Sequence, residues 1–141
     1  MGIISHQYEI PGDDFTRAGE ASGKVKAVLK QLGYDPNATR RVAIAMYEAE
    51  INMVIHANGG TANVDISPNK VEILMKDTGP GIADIEMAMR EGFSTAPDEV
   101  RALGFGAGMG LPNIEKYADE MRLESQVGVG TELYIMVNVA T

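Results

Sequence analysis

The chain has 141 residues, 45% hydrophobic and 23% charged, with a formal net charge of -8 and no cysteine. That composition fits one globular domain with a real core. It argues against a general nucleic-acid binder, whose affinity rests on clustered Lys and Arg, and it excludes disulfides, Cys-ligated zinc and thiol chemistry. No apolar run is long enough to span a bilayer, and the start "MGIISHQYEI" lacks the pattern of a signal peptide. A myristoylation signal wants Ser or Thr at position 6, which is His6. The chain is expected in the cytoplasm, where the sequon "NAT" at Asn37 carries no weight.

Residues Ile3 to Ile10 read as a first strand, closed by Pro11-Gly12. Asp13 and Asp14 can cap the next segment. Apolar residues at helical spacing run from Phe15 to Leu32, with Gly33 as the C-cap glycine and Pro36 near the next helix start. The second helix, about Ala38 to Ala57, is apolar round much of its circumference and should be buried; "NGG" at Asn58 to Gly60 stops it. "TANVDIS" and "KVEILMKDT" alternate as two strands of a hairpin around "PNK". A short acidic helix at about 83–91 precedes a long Gly-rich stretch with few core formers, the kind of segment that serves as a lid or binding loop. "LPNIEKYAD" reads as a helix, and "EMRLESQ" and "ELYIMVNVA" as strands around the turn "VGVGT". Helices followed by hairpins favour an α+β, two-layer α/β sandwich, with a mainly antiparallel mixed sheet and helices on one face.

Three stretches carry residues suited to chemistry. In "YEAEINMVIHA", Glu48 and Asn52 are four apart and share a helix face, while Glu50 sits about 200° round from Glu48 and points elsewhere. A carboxylate and a carboxamide on a mostly apolar helix need partners, either backbone groups or a ligand, and their hard oxygens suit magnesium. Taken alone, this helix is read more simply as a solvated edge or a cap on a neighbouring loop. In "KDTGPGI", Asp77 ends a strand where a carboxylate can accept from a ligand amine and Gly79 and Gly81 allow close backbone approach; an ordinary turn is the plain alternative. "GFGAGMGLPN" alternates Gly104, Gly106, Gly108 and Gly110 with single residues. It matches neither the P-loop nor the Rossmann fingerprint. A periodic helix comes directly after it, which disfavours a linker and favours a glycine-rich anion loop at a helix N-terminus.

The order of these motifs is more specific than any one of them. Glu-x-x-x-Asn on a helix, Asp-x-Gly-x-Gly after a strand, Gly-x-Gly-x-Gly before a helix and Gly-Thr on a strand resemble the Bergerat ATP-binding fold of the GHKL superfamily over essentially the whole chain. The N box is Glu48 to Asn52, continuing to His56-Ala57; the G1 box is "DTGPGI"; the G2 box is "GAGMGL". "VGVGTEL" resembles the final box. The chain has no room for a phosphoacceptor-helix or transducer domain. It resembles the free-standing anti-sigma regulatory factors and switch serine/threonine kinases, RsbT/RsbW-like, with Phe105 and Met109 as departures within the glycine run.

The resemblance implies residue roles and partners. Glu48 would be the general base and Asn52 the magnesium ligand. Asp77 would bind the adenine amino group, with Thr131 beside it on the next strand and Gly79 and Gly81 shaping the pocket. Gly106, Gly108 and Gly110, with Leu111, would close over the phosphates at the end of an ATP lid at about 90–108. His56 is given a structural role, and Arg90 and Arg101 flank the lid as surface charges. The implied cofactors are ATP and Mg2+. The implied substrate is a STAS-domain protein of the anti-sigma-factor-antagonist type, with a sigma factor or other regulator as a further partner and homodimerisation common among members. Neither nucleic acid nor a membrane is implicated. Two rivals to the kinase reading are a nucleotide-sensing binding module with little or no kinase activity and an accessory domain detached from a histidine kinase.

Overall fold

The computed structural model describes residues 3–11, 19–56, 59–77, 110–126 and 128–139, without the side chains of 52 and 54–56. The elements run β1 (Ile4–Pro11), α1 (Glu20–Gln31), α2 (Pro36–His56), β2 (Gly59–Ile66), β3 (Lys70–Asp77), α3 (Gly110–Tyr117), β4 (Glu120–Gln126) and β5 (Gly130–Asn138). The expectations at Asp13, Asp14, the acidic helix at 83–91, Arg90, Arg101 and the lid at about 90–108 lie outside the described residues.

The strand order is β1-β2-β3-β5-β4, and each neighbouring pair is antiparallel. Alternation puts Ala62, Val64 and Ile66 of β2, Val71, Ile73 and Met75 of β3, and Leu133, Ile135 and Val137 of β5 on one buried face. The helices cover that face: Val25 and Leu29 of α1, Val42, Ala45, Met46, Ala49 and Met53 of α2, and Ile114 of α3 join the same core. The expected two-layer α+β sandwich is present. The outer face carries Glu72, Tyr134 and Arg122: the Tyr134 hydroxyl donates to Glu72 at 2.7 Å, and the Arg122 guanidinium lies 4.4 Å from the ring centroid. Burial first, then the bond to Glu72, pushes the Tyr134 phenol up to about 12. Among the described residues, no helix is long and apolar enough to cross a membrane.

The α1–α2 junction arises from local backbone chemistry. Gly33 takes a φ of 81°, its N–H bonds to Lys30 O at 3.1 Å, and the Tyr34 N–H bonds to Leu29 O at 3.1 Å. That pair of bonds closes a helix C-terminus with a left-handed residue, a conformation glycine adopts without steric cost. Two residues on, Asp35 caps α2 by accepting the Ala38 N–H at 2.9 Å, and Pro36 takes the first helical position, where a missing N–H costs nothing.

One boundary differs from expectation. Gly59 and Gly60 do more than stop α2; they are the first residues of β2, paired with Pro11 and Asp77 respectively. Gly60 is required there by crowding. A Cβ on it would run into the Lys76 carbonyl oxygen and would lie 2.5 Å from the Met53 methyl and 3.0 Å from Asp77 Cα.

Candidate functional site

Along α2, Arg41, Ala45 and Glu48 fall on one stripe, because seven residues are nearly two full turns. This stripe meets α3. At one end the Asn113 side chain hydrogen-bonds Glu48. At the other, Arg41 Nε donates to Tyr117 O at 3.2 Å and Arg41 Nη2 to Asp119 Oδ2 at 2.9 Å. Asp119 Oδ2 also accepts the Asn138 N–H at 2.6 Å, so the far end of α3 is tied to β5 as well as to α2. The two helices therefore run antiparallel, with Ile114 completely buried beneath them.

Glu48 is half-buried. It lines one side of a shallow groove of about 370 Å3 between α1 and α2, with Ser22, Gly23 and Lys26 opposite and Ile44 and Tyr47 beside it. Desolvation raises its carboxyl above the ordinary value, and the hydrogen bond from Asn113 works against that rise. A carboxyl held in a partly dry setting gains proton affinity, which is what a general base at neutral pH requires.

Two residues on, Glu50 has the opposite environment. It is 1% exposed, and its carboxylate accepts the backbone N–H groups of Gly19 (3.0 Å), Ala21 (3.2 Å) and Ser22 (3.0 Å). These belong to the N-terminus of α1, where such donors lack intrahelical partners and negative charge is favoured. Gly19 itself supplies no side-chain cap. The sequence indicates only that Glu50 faces away from Glu48. Its partner, some thirty residues earlier in the chain, has no sequence signal.

Asp77 closes β3 directly across from Thr131, and its Oδ1 accepts the Thr131 N–H at 3.2 Å. The Thr131 hydroxyl is 2.8 Å from Ser125 Oγ. The expected adjacency of Asp77 and Thr131 is present, and Ser125 joins them. The Met53 methyl beside Gly60 brings the last turns of α2 to this end of the sheet. Asn52 lies on α2 one turn beyond Glu48, in a helix unbroken to His56. Gly110 is the first residue of α3, and Leu111 packs against the core. Gly79, Gly81, Gly106 and Gly108 lie outside the described residues, as do the side chains of Asn52 and His56.

The arrangement gathers the ends of α2, β3, β5 and α3 at one side of the sandwich. Its donor set suits magnesium bound to a nucleotide: a carboxylate and a carboxamide at one-turn spacing, with few protein ligands.

Comparison with known proteins agrees. Residues 13–137 match the family model described as a histidine kinase-like ATPase domain. The serine/threonine-protein kinase RsbT of Bacillus subtilis (strain 168) is 34% identical over 110 residues, which is 75% of this chain and 77% of that protein. The anti-sigma F factor of Thermoanaerobacter sp. (strain X514) is 38% identical over 112 residues, 76% of this chain and 75% of that one. The anti-sigma F factor of Geobacillus kaustophilus (strain HTA426) is 31% identical over 122 residues, 82% and 80%. A solved structure of the RsbU and RsbW domains of Rv1364c from Mycobacterium tuberculosis superposes with a TM-score of 0.58 at 14% identity. That match covers 98% of this chain and 33% of the longer one, and it supports the fold alone. With its N-box helix, its Asp77–Thr131 corner and a family match spanning nearly its whole length, the chain belongs to the histidine kinase-like ATPase domain family.

Proposed function

We propose that the chain is a single ATP-binding kinase domain, with a lid at about 90–108, that phosphorylates a serine or threonine of a STAS-domain partner in a cytoplasmic partner-switching pathway. The observation that carries this reading is Glu48: a half-buried carboxylate of raised proton affinity, open to a groove between α1 and α2. Asn52 would hold Mg2+, and Asp77 and Thr131 the adenine end, with Gly79 and Gly81 beside them. Gly106, Gly108, Gly110 and Leu111 would lie at the phosphates. Bound Mg2+ supplies charge neutralisation at the phosphates. Glu48 takes the proton from the partner's hydroxyl as that oxygen bonds to the γ-phosphorus; the bond from phosphorus to the bridging oxygen breaks, and its electron pair leaves on ADP.

A binding module that docks without transferring phosphate is the second reading, favoured by the relatives named anti-sigma F factors. One experiment separates them. The chain is incubated with Mg-ATP and STAS-domain proteins from the same genome, and phosphoserine or phosphothreonine is sought by mass spectrometry. Glu48→Gln should keep Mg-ATP binding and lose transfer by about 10²-fold or more. Complex formation without phosphate in the wild type supports the binding module instead.

A further inference from the structure

We propose that Ser125 is a positioning residue for base recognition: it holds the Thr131 hydroxyl as a hydrogen-bond acceptor, so that the corner formed with Asp77 takes a purine with a 6-amino group over one with a 6-oxo group. The inference deepens the reading of Asp77 and Thr131 as the adenine end of the site, and it rests on that reading.

Two observations carry it. The first is the sheet register. Across β3, β5 and β4, successive rows on the helix-covered face are Ile73–Ile135–Met121, Met75–Leu133–Leu123 and Asp77–Thr131–Ser125. The first two rows belong to the core or pack against it. The third is polar on all three strands and half-buried. Polar side chains that continue an apolar face need partners. Here they bind along the row: Asp77 Oδ1 accepts the Thr131 N–H at 3.2 Å, and the hydroxyls of Thr131 and Ser125 lie 2.8 Å apart.

The second observation is where the hydroxyl hydrogens go. Ser125 Oγ also lies 3.3 Å from the Gly130 carbonyl oxygen. A carbonyl only accepts, so it takes the single Ser125 hydrogen, and the contact between the hydroxyls is made with the Thr131 hydrogen. Thr131 Oγ1 then has only lone pairs to offer, and the Asp77 carboxylate likewise only accepts. Two neighbouring acceptors match the two N–H bonds of a 6-amino group. A 6-oxo purine brings an N1–H and a carbonyl oxygen to the same edge, and that oxygen would face an acceptor. Without Ser125 the Thr131 hydroxyl can turn and donate to that oxygen. Discrimination therefore depends on Ser125 acting through Thr131.

The test measures dissociation constants of Mg-ATP and of Mg-inosine triphosphate, its 6-oxo counterpart, by calorimetry on the full chain. Wild type should favour ATP. Ser125→Ala should lower the ratio of the two affinities about threefold to tenfold, the scale of one hydrogen bond. Ser125→Thr keeps the hydroxyl and should restore the ratio. In a Thr131→Val background, Ser125→Ala should change the ratio no further, because its effect runs through Thr131. A role in packing alone would weaken both nucleotides equally, and an unchanged ratio in Ser125→Ala overturns the proposal. An equal drop in the Thr131→Val background also overturns it, by placing Ser125 on the ligand itself. If Thr131→Val does not fold, Ser125→Ala and its rescue by Ser125→Thr decide. A wild type that binds ATP without preferring it overturns this inference alone; one that binds neither nucleotide removes the nucleotide site and this inference with it.

Discussion

Burial raises the proton affinity of Glu48 in the folded chain, and the sign of that shift sets how it acts on stability. Folded Glu48 holds its proton more tightly than the unfolded chain does. Its contribution therefore favours folding below the unfolded carboxyl value and is lost as pH rises through the folded one. Glu48→Gln removes the penalty of a desolvated charge, so its melting temperature relative to wild type should improve between pH 4 and pH 7. A difference that stays flat across that range would mean that the carboxylate is not desolvated. Glu50 is tested by its hydrogen bonds. With three backbone N–H groups on one carboxylate, Glu50→Ala leaves buried donors without an acceptor and should cost about 3 kcal/mol or more. Glu50→Gln, which keeps one acceptor oxygen, should cost about half that. Urea denaturation measures both, and equal stability of Glu50→Ala and wild type would refute the cap.

At the level of elements, legibility tracked the range of the interactions involved. The turn between α1 and α2 could be read directly because Gly33, Asp35 and Pro36 act on backbone within a few residues of themselves. The buried character of α2 could be read from apolar residues round its circumference, and the β2–β3 hairpin from alternation. The start of β2 is not legible in the sequence because Gly59 and Gly60 have the local signature of a helix stop, while their strand state is imposed by Pro11 and Asp77 from other elements. Gly60→Ala tests that account. Its methyl would meet the Lys76 carbonyl and the Asp77 backbone, neither of which can rotate away, so a loss of about 2 kcal/mol or more is expected in chemical denaturation. A neutral substitution would show that the β2–β3 register yields there.

Across the whole molecule, the candidate site assembles from chain segments far apart in sequence. Motif order was enough to name Glu48, Asp77 and Thr131, and the Asp77–Thr131 contact appeared as expected. The contacts of Asn113 with Glu48 and of Ser125 with Thr131 were not legible, since each depends on how α3 and β4 settle against their neighbours. A ligand spanning these elements should stabilise the fold as a unit. Mg-ATP at about 100 times its dissociation constant adds about 2.7 kcal/mol, which for a domain of this size raises the melting temperature by roughly 5–10 °C. Asp77→Asn should abolish most of that rise, and a rise of the same size in the variant would take Asp77 out of the nucleotide site. The commitments of α2 also limit how this family member can diverge. Arg41 and Glu48 serve α3, Glu50 serves α1, and Val42, Ala45, Met46 and Ala49 serve the core. One inserted residue turns everything beyond it by about 100°. An insertion between Arg41 and Glu48 would therefore unseat a helix contact, a cap and the core packing in one step. Descendants of this sequence should vary in length elsewhere and pass on this stretch of helix with its residue count intact.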